Sequence, residues 1–115
     1  MGVMVGFGPM LERREEARRR ALEALRGRTR GLLRAALEEL VPGARVLIFG
    51  SIACPGRFRE GSDVDLAVET MPAAWSPYAL AAEIELRVGR PVDVVLLPDC
   101  RFADKLRNEG EWWTT

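Results

Sequence analysis

Two aspartates separated by a single valine, Asp63-Val64-Asp65, follow the pair Gly50-Ser51 after eleven intervening residues. Read as a strand, 63–69 alternates its side chains, so Asp63 and Asp65 share one face while Val64, Leu66 and Val68 share the other. At an effective dielectric of ~20, two carboxylates a pleat apart repel by on the order of a few kcal/mol, and one takes up a proton unless a cation sits between them. Hard oxygen ligands on a rigid strand suit Mg²⁺, which keeps several waters and borrows substrate phosphates to fill its octahedron. Gly50 permits close backbone approach, and a serine opening a helix offers its hydroxyl and nearby N–H groups to a phosphate. The plainer alternatives are a capped turn at Ser62-Asp63 and a simple helix N-cap at Ser51.

A two-metal site needs a third carboxylate, and Asp93 is the candidate. It is the only charge in the apolar segment 91–97, which reads as a central strand. An unpaired carboxylate buried there would cost several kcal/mol or be neutralised, and a metal shared with Asp63 and Asp65 would give it a partner. The alternative is a charge placed on an edge strand.

The elements that must hold these residues follow from the flanking sequence. Segments 45–49 and 63–69 are short, rich in Val, Leu, Ile and Phe, and bounded by Gly, Pro or Ser, as strands are. Residues 10–40 are helical in composition, with an apolar stripe at Leu22, Leu25, Leu32, Leu33, Ala36, Leu37 and Leu40. Gly27 and Gly31 predict a bend or a break into two helices, and Pro42-Gly43 ends the element. Residues 1–9 are Gly-rich and apolar, a segment expected to be poorly ordered unless docked. After a loop at 72–77, residues 78–88 predict an amphipathic helix with Leu80, Ala81, Ile84, Leu86 and Val88 toward the sheet and Gly89 as C-cap. A last helix of about ten residues closes the chain. The order α-β-α-β-α-β-α fits an α/β (α+β) layer structure, a small β-sheet covered by helices.

At this point Gly50-Ser51, Asp63-Val64-Asp65 and Asp93 together resemble the DNA polymerase β-type nucleotidyltransferase superfamily. More narrowly, they resemble its minimal nucleotidyltransferase domains, often the antitoxin half of HEPN–MNT toxin–antitoxin pairs. The resemblance spans roughly residues 29–110, including a closing helix around 102–110. It implies a mixed sheet and a single nucleotidyltransferase domain over 1–115, with a catalytic core at 45–110 and a long N-terminal helical region at 10–40. The implied chemistry is transfer of AMP from ATP to a hydroxyl, with Asp63, Asp65 and Asp93 holding two Mg²⁺ (or Mn²⁺) ions. Gly50, Ser51 and Ser62 would contact the nucleotide, and the implied partner is a HEPN-type toxin whose tyrosine is modified. Ile52 and Cys54 stand where the common pattern carries arginines, and Arg57 and Arg59 are the nearby substitutes. That departure keeps a second reading open: a transferase-fold binding module that silences a toxin by occlusion. A small-molecule transferase would need a homodimer to hold its acceptor.

Composition sets outer bounds. The chain has 115 residues with 17 basic and 17 acidic side chains, so overall charge gives no sign of a nucleic-acid partner. Histidine is absent, which removes imidazole acid–base and metal chemistry. Cys54 and Cys100 lack CxxC spacing and read as buried small residues in a reduced, cytoplasmic setting. Nothing resembles a membrane span or signal peptide. Nine arginines between Arg13 and Arg34 are interleaved with glutamates, a solvated face with i,i+4 pairs or else a contact surface for protein or RNA. Trp112-Trp113 read equally as core-edge cover or as a partner anchor.

Overall fold

The structure, a computed structural model, describes residues 2–115, with side chains from residue 8 onward. In chain order it has α1 (Gly2–Leu40), β1 (Arg45–Phe49), a 3-10 turn (Gly50–Ala53), β2 (Val64–Val68), α2 (Pro77–Val88) and β3 (Val92–Leu96). A second 3-10 turn (Leu97–Asp99), α3 (Ala103–Glu109) and β4 (Glu111–Thr114) complete it. The sheet order is β3-β2-β1-β4. β1 runs antiparallel to both β2 and β4, while β2 and β3 are parallel, so the sheet is mixed, as expected.

Alternation along the strands gives the sheet two unlike faces. One carries Val46, Ile48, Leu66, Val68, Val92 and Val94, buried under Leu33, Ala36 and Leu37 of α1 and Leu80, Ile84 and Val88 of α2. The opposite face carries Leu47 and Ala67, which pack with Leu97, Leu106 of α3 and Trp112 in a smaller cluster. Space under α3 is tight: a Cβ on Gly110 would lie 2.6 Å from Leu47 Cδ1 and 2.8 Å from the Leu106 carbonyl. Asp65 and Asp93 lie on this second face, beyond that cluster.

Several expectations are corrected here. Residues 2–9 continue α1, across Pro9, whose ring removes one backbone donor; Met1 lies outside the described residues. Gly27 and Gly31 do not split the helix, which runs unbroken from Gly2 to Leu40 with Leu22, Thr29, Leu33 and Leu37 on its inner face; nothing packs against either glycine. Leu32 and Leu86 are solvent-exposed rather than core-facing, at 48% and 79%. Cys54 and Cys100 are free thiols, half-buried rather than buried. The last helix is shorter than expected, because the chain turns into β4. There Trp113 joins the core and Trp112 the second cluster, so both cover sheet rather than stand free. Arg34 stacks on Trp113 at 4.2 Å, and Arg45 stacks on Trp112 at 4.2 Å.

The 66 × 28 × 20 Å dimensions come from α1, since at about 1.5 Å per residue its length far exceeds the sheet it covers. Side chains 9–21 are all exposed. In this stretch Arg19 pairs with Glu15 and Arg20 with Glu16, exposed i,i+4 pairs of the kind that solvate a helix. Among the described residues no helix is long and apolar enough to cross a membrane.

β4 is fastened to α1 by Arg30, which donates to both Glu111 carboxylate oxygens at 2.8 Å. Chiefly through that bond, the Glu111 carboxyl is held down at about 2, against an ordinary value of 4.5. A depressed folded-state pKa means that the stabilisation is fully present above about 4.5 and fades as pH falls toward about 2. Melts of wild type and Glu111→Gln across that window should therefore converge at the acid end and separate above it. A constant gap at all pH values would contradict this account.

Candidate active site

β1 ends at Phe49, and the chain then makes its 3-10 turn with Gly50 at φ +73, a conformation that side-chain-bearing residues rarely adopt. The turn is closed by Cys54 N–H donating to the Ser51 carbonyl at 3.1 Å. It is a single 3-10 turn and not the start of an α-helix, so Ser51 offers its hydroxyl and local N–H groups without a long helix behind them.

Across from it, Asp65 pairs in register with Phe49 on β1 and with Asp93 on β3. Neighbouring strands lie about 4.8 Å apart, so the two carboxylates stand abreast on one face. Asp63, just before β2, is exposed and close enough for its charge to act on Asp65. Asp65 is half-buried, and its pKa is raised above the ordinary carboxylate value by burial first, then by the charges of Asp93 and Asp63. Its carboxylate also leans on Gly50: a Cβ there would come 2.5 Å from Asp65 Oδ2. The glycine turn and the central aspartate thus occupy one continuous surface.

Asp93 is placed differently from the expectation. β3 is an edge strand, and Asp93 is exposed rather than buried in a central one, so no burial penalty demands a partner for it. What brings it to the site is its register with Asp65. A cleft of about 790 Å³ runs along the free edge of β3 past Asp93, but Gly50, Ser51 and Asp65 do not line it. Those residues lie on open sheet.

The donor set, three carboxylates, is suited to a hard divalent cation. As the side chains stand, no three acidic or thiol groups among the described residues close on one ion position.

Ser62 has a local role: its hydroxyl accepts from Arg59 N–H at 2.9 Å, and its N–H donates to the Arg59 carbonyl at 3.1 Å. The Arg59 guanidinium is occupied by the carbonyls of Gly56 and Phe58, and Arg57 is exposed. Ile52 is fully buried. Three further arginines touch the site's backbone and were not singled out by spacing. Arg90 donates to the Ser62 carbonyl at 2.8 Å, just ahead of Asp63. Arg26 and Arg30 both donate to the carbonyl of Ile52. One clue to Arg26 was present: it falls four residues after Leu22 and seven before Leu33, on the apolar stripe, where an arginine needs a reason.

A mixed sheet with α1 and α2 on one face and α3 on part of the other, a glycine turn after β1 and a row of carboxylates beyond α3 define a polymerase β-like nucleotidyltransferase fold. The chain belongs to the nucleotidyltransferase domain family, whose sequence profile matches residues 31–111. A solved structure described as "Crystal structure of the toxin-antitoxin with AMP-PNP" superposes with a TM-score of 0.56 at 23% identity. The match covers 74% of this chain and 73% of that one, and it shows a shared fold. No curated protein matches the chain.

Proposed function

We propose that this domain transfers AMP from ATP to a hydroxyl on a partner protein, a toxin of HEPN type whose tyrosine is the acceptor. The observation that carries the reading is Asp65 abreast of Asp93, on an open sheet face, against the Gly50 turn. Family membership supports the chemistry, and the fold neighbour, a toxin–antitoxin structure described with AMP-PNP, supports the partner class. Asp63, Asp65 and Asp93 would hold Mg²⁺ or Mn²⁺, which supplies charge neutralisation on the triphosphate and acidifies the attacking hydroxyl.

The chain's own residues do the rest. Gly50 lets the backbone approach the phosphates closely, and Ser51 donates to their non-bridging oxygens. The acceptor oxygen attacks the α-phosphorus in line, the bond to the bridging oxygen breaks, and pyrophosphate leaves. The hydroxyl proton passes to a carboxylate, with Asp93, exposed on the edge strand, as its first stop. An open face of this kind admits a macromolecular acceptor directly. The test is intact-mass analysis of the partner toxin with and without Mg·ATP: a gain of one AMP on a tyrosine is expected, and an unchanged mass overturns the transfer.

A second reading is favoured by one observation. The Gly50–Ala53 turn itself carries no basic side chain, and the Arg59 guanidinium is bound to the Gly56 and Phe58 carbonyls. A domain that only occludes its toxin would show no affinity for Mg·ATP by calorimetry, whereas the transferase must.

A further inference from the structure

Two guanidiniums on α1 converge on a single backbone oxygen in the site. Arg26 Nε donates to the Ile52 carbonyl at 2.8 Å, and Arg30 Nη1 donates to the same oxygen at 3.3 Å. Ile52 belongs to the Gly50–Ala53 turn. Both arginines are held from behind. Arg26 is 9% exposed and pairs with Glu23, while Arg30 is clamped by both oxygens of Glu111 on β4, next to Ile48 of β1.

Stability alone does not account for this arrangement. Burying a charged guanidinium carries a desolvation cost that Coulomb attraction repays only in part, and apolar residues of similar volume often hold such a position as well or better. What two charge-assisted bonds to one carbonyl do supply is direction. The Ile52 carbonyl belongs to the Ile52–Ala53 peptide plane, and holding that plane restricts ψ of Ile52 and φ of Ala53, within a turn already closed by Cys54 N–H on the Ser51 carbonyl. The grip thus limits how far the turn, with the Ser51 backbone in it, can open.

We propose that Arg26 and Arg30 are positioning residues, which hold the Gly50–Ala53 turn, through the Ile52 carbonyl, in the form that receives nucleotide phosphates. The proposal rests on the nucleotide-transfer reading above. It assigns to α1, otherwise a cover for the sheet, a part in substrate binding exerted entirely through backbone.

The experiment compares wild type with Arg26→Met, Arg26→Lys and Thr29→Val. It reads Mg·ATP affinity by calorimetry and deuterium exchange at the Cys54 amide, whose bond to Ser51 closes the turn. Arg26→Met keeps the apolar stem and loses the donor; it should weaken Mg·ATP binding about tenfold and speed Cys54 exchange by a similar factor. Arg26→Lys, which retains one charged donor, should recover most of both losses. Thr29→Val removes a buried hydroxyl on the same helix face, bonded only within α1 to the Leu25 carbonyl, and should move neither readout. Should Arg26→Met fail to fold, Arg30→Lys takes its place, expected to shift both readouts about threefold in the same direction. Wild-type affinity with wild-type Cys54 exchange in Arg26→Met, or equal losses in Thr29→Val, overturns the positioning role while leaving the transferase reading intact. Absence of Mg·ATP binding in wild type overturns both.

Discussion

Asp65→Asn is expected to abolish AMP transfer, by about a thousandfold, while the protein melts at the same temperature or higher. The two effects share one cause. Asp65 is half-buried between Asp93 and Asp63, and its raised pKa records that the charged form is disfavoured where it sits. An amide of the same shape removes the repulsion and the desolvation of a charge, so folding gains or holds even as the proposed central donor for a cation disappears. Residues kept for packing behave in the opposite way, losing stability first and activity in consequence. Measuring labelled-AMP transfer alongside a thermal melt separates the cases. Retained transfer, or a large drop in melting temperature, would remove Asp65 from the chemistry.

Gly50→Ala is the second substitution with a large expected effect, and here activity should fall much further than stability. Its φ of +73 costs an alanine about 1–2 kcal/mol. The new methyl would also meet Asp65 Oδ2 at 2.5 Å. That oxygen is the free end of a rotatable side chain, so it can turn aside at little energetic cost; turned aside, it no longer stands in the carboxylate row. We expect transfer to fall by at least about a hundredfold for a destabilisation near the backbone cost alone. A double-mutant cycle with Asp65→Ala gives the sharper check. If the methyl acts by turning the carboxylate aside, the losses of transfer are less than additive while the stability costs simply add; additive losses of transfer would show that the two positions act independently.

Much of this architecture was legible before any coordinates. The β1 and β2 strands and the Gly89 end of α2 follow from alternation and capping, which act within a few residues. The structure bears these out, with Gly89 in the left-handed region; α2 starts one residue earlier than read, at Pro77, behind Ser76, whose Oγ accepts from Ala79 N–H. What stayed hidden depends on partners far along the chain. The apolar run around Asp93 reads as central because hydrophobicity reports burial of faces; whether a neighbouring strand exists on each side is decided elsewhere in the chain. β4 is four residues long and carries no Val or Ile, and it is a strand because β1 offers it an edge. Cys54 and Cys100, small and apolar by type, sit at the ends of the two 3-10 turns, where their cover is incomplete. The grip of Arg26 and Arg30 on Ile52 spans 26 and 22 residues and ends on a main-chain atom, which no pattern of side chains announces.

The bare half of the second sheet face carries one further implication for the proposed transfer. Among the described residues no element folds over Asp65 and Asp93, so solvent would reach any phosphorus held there as easily as an incoming alcohol does. Discrimination between hydrolysis and protein modification must then come from whatever surface arrives to cover that face, because only a docked toxin can shut water out. The choice of nucleophile would belong to the assembled pair and to neither polypeptide alone.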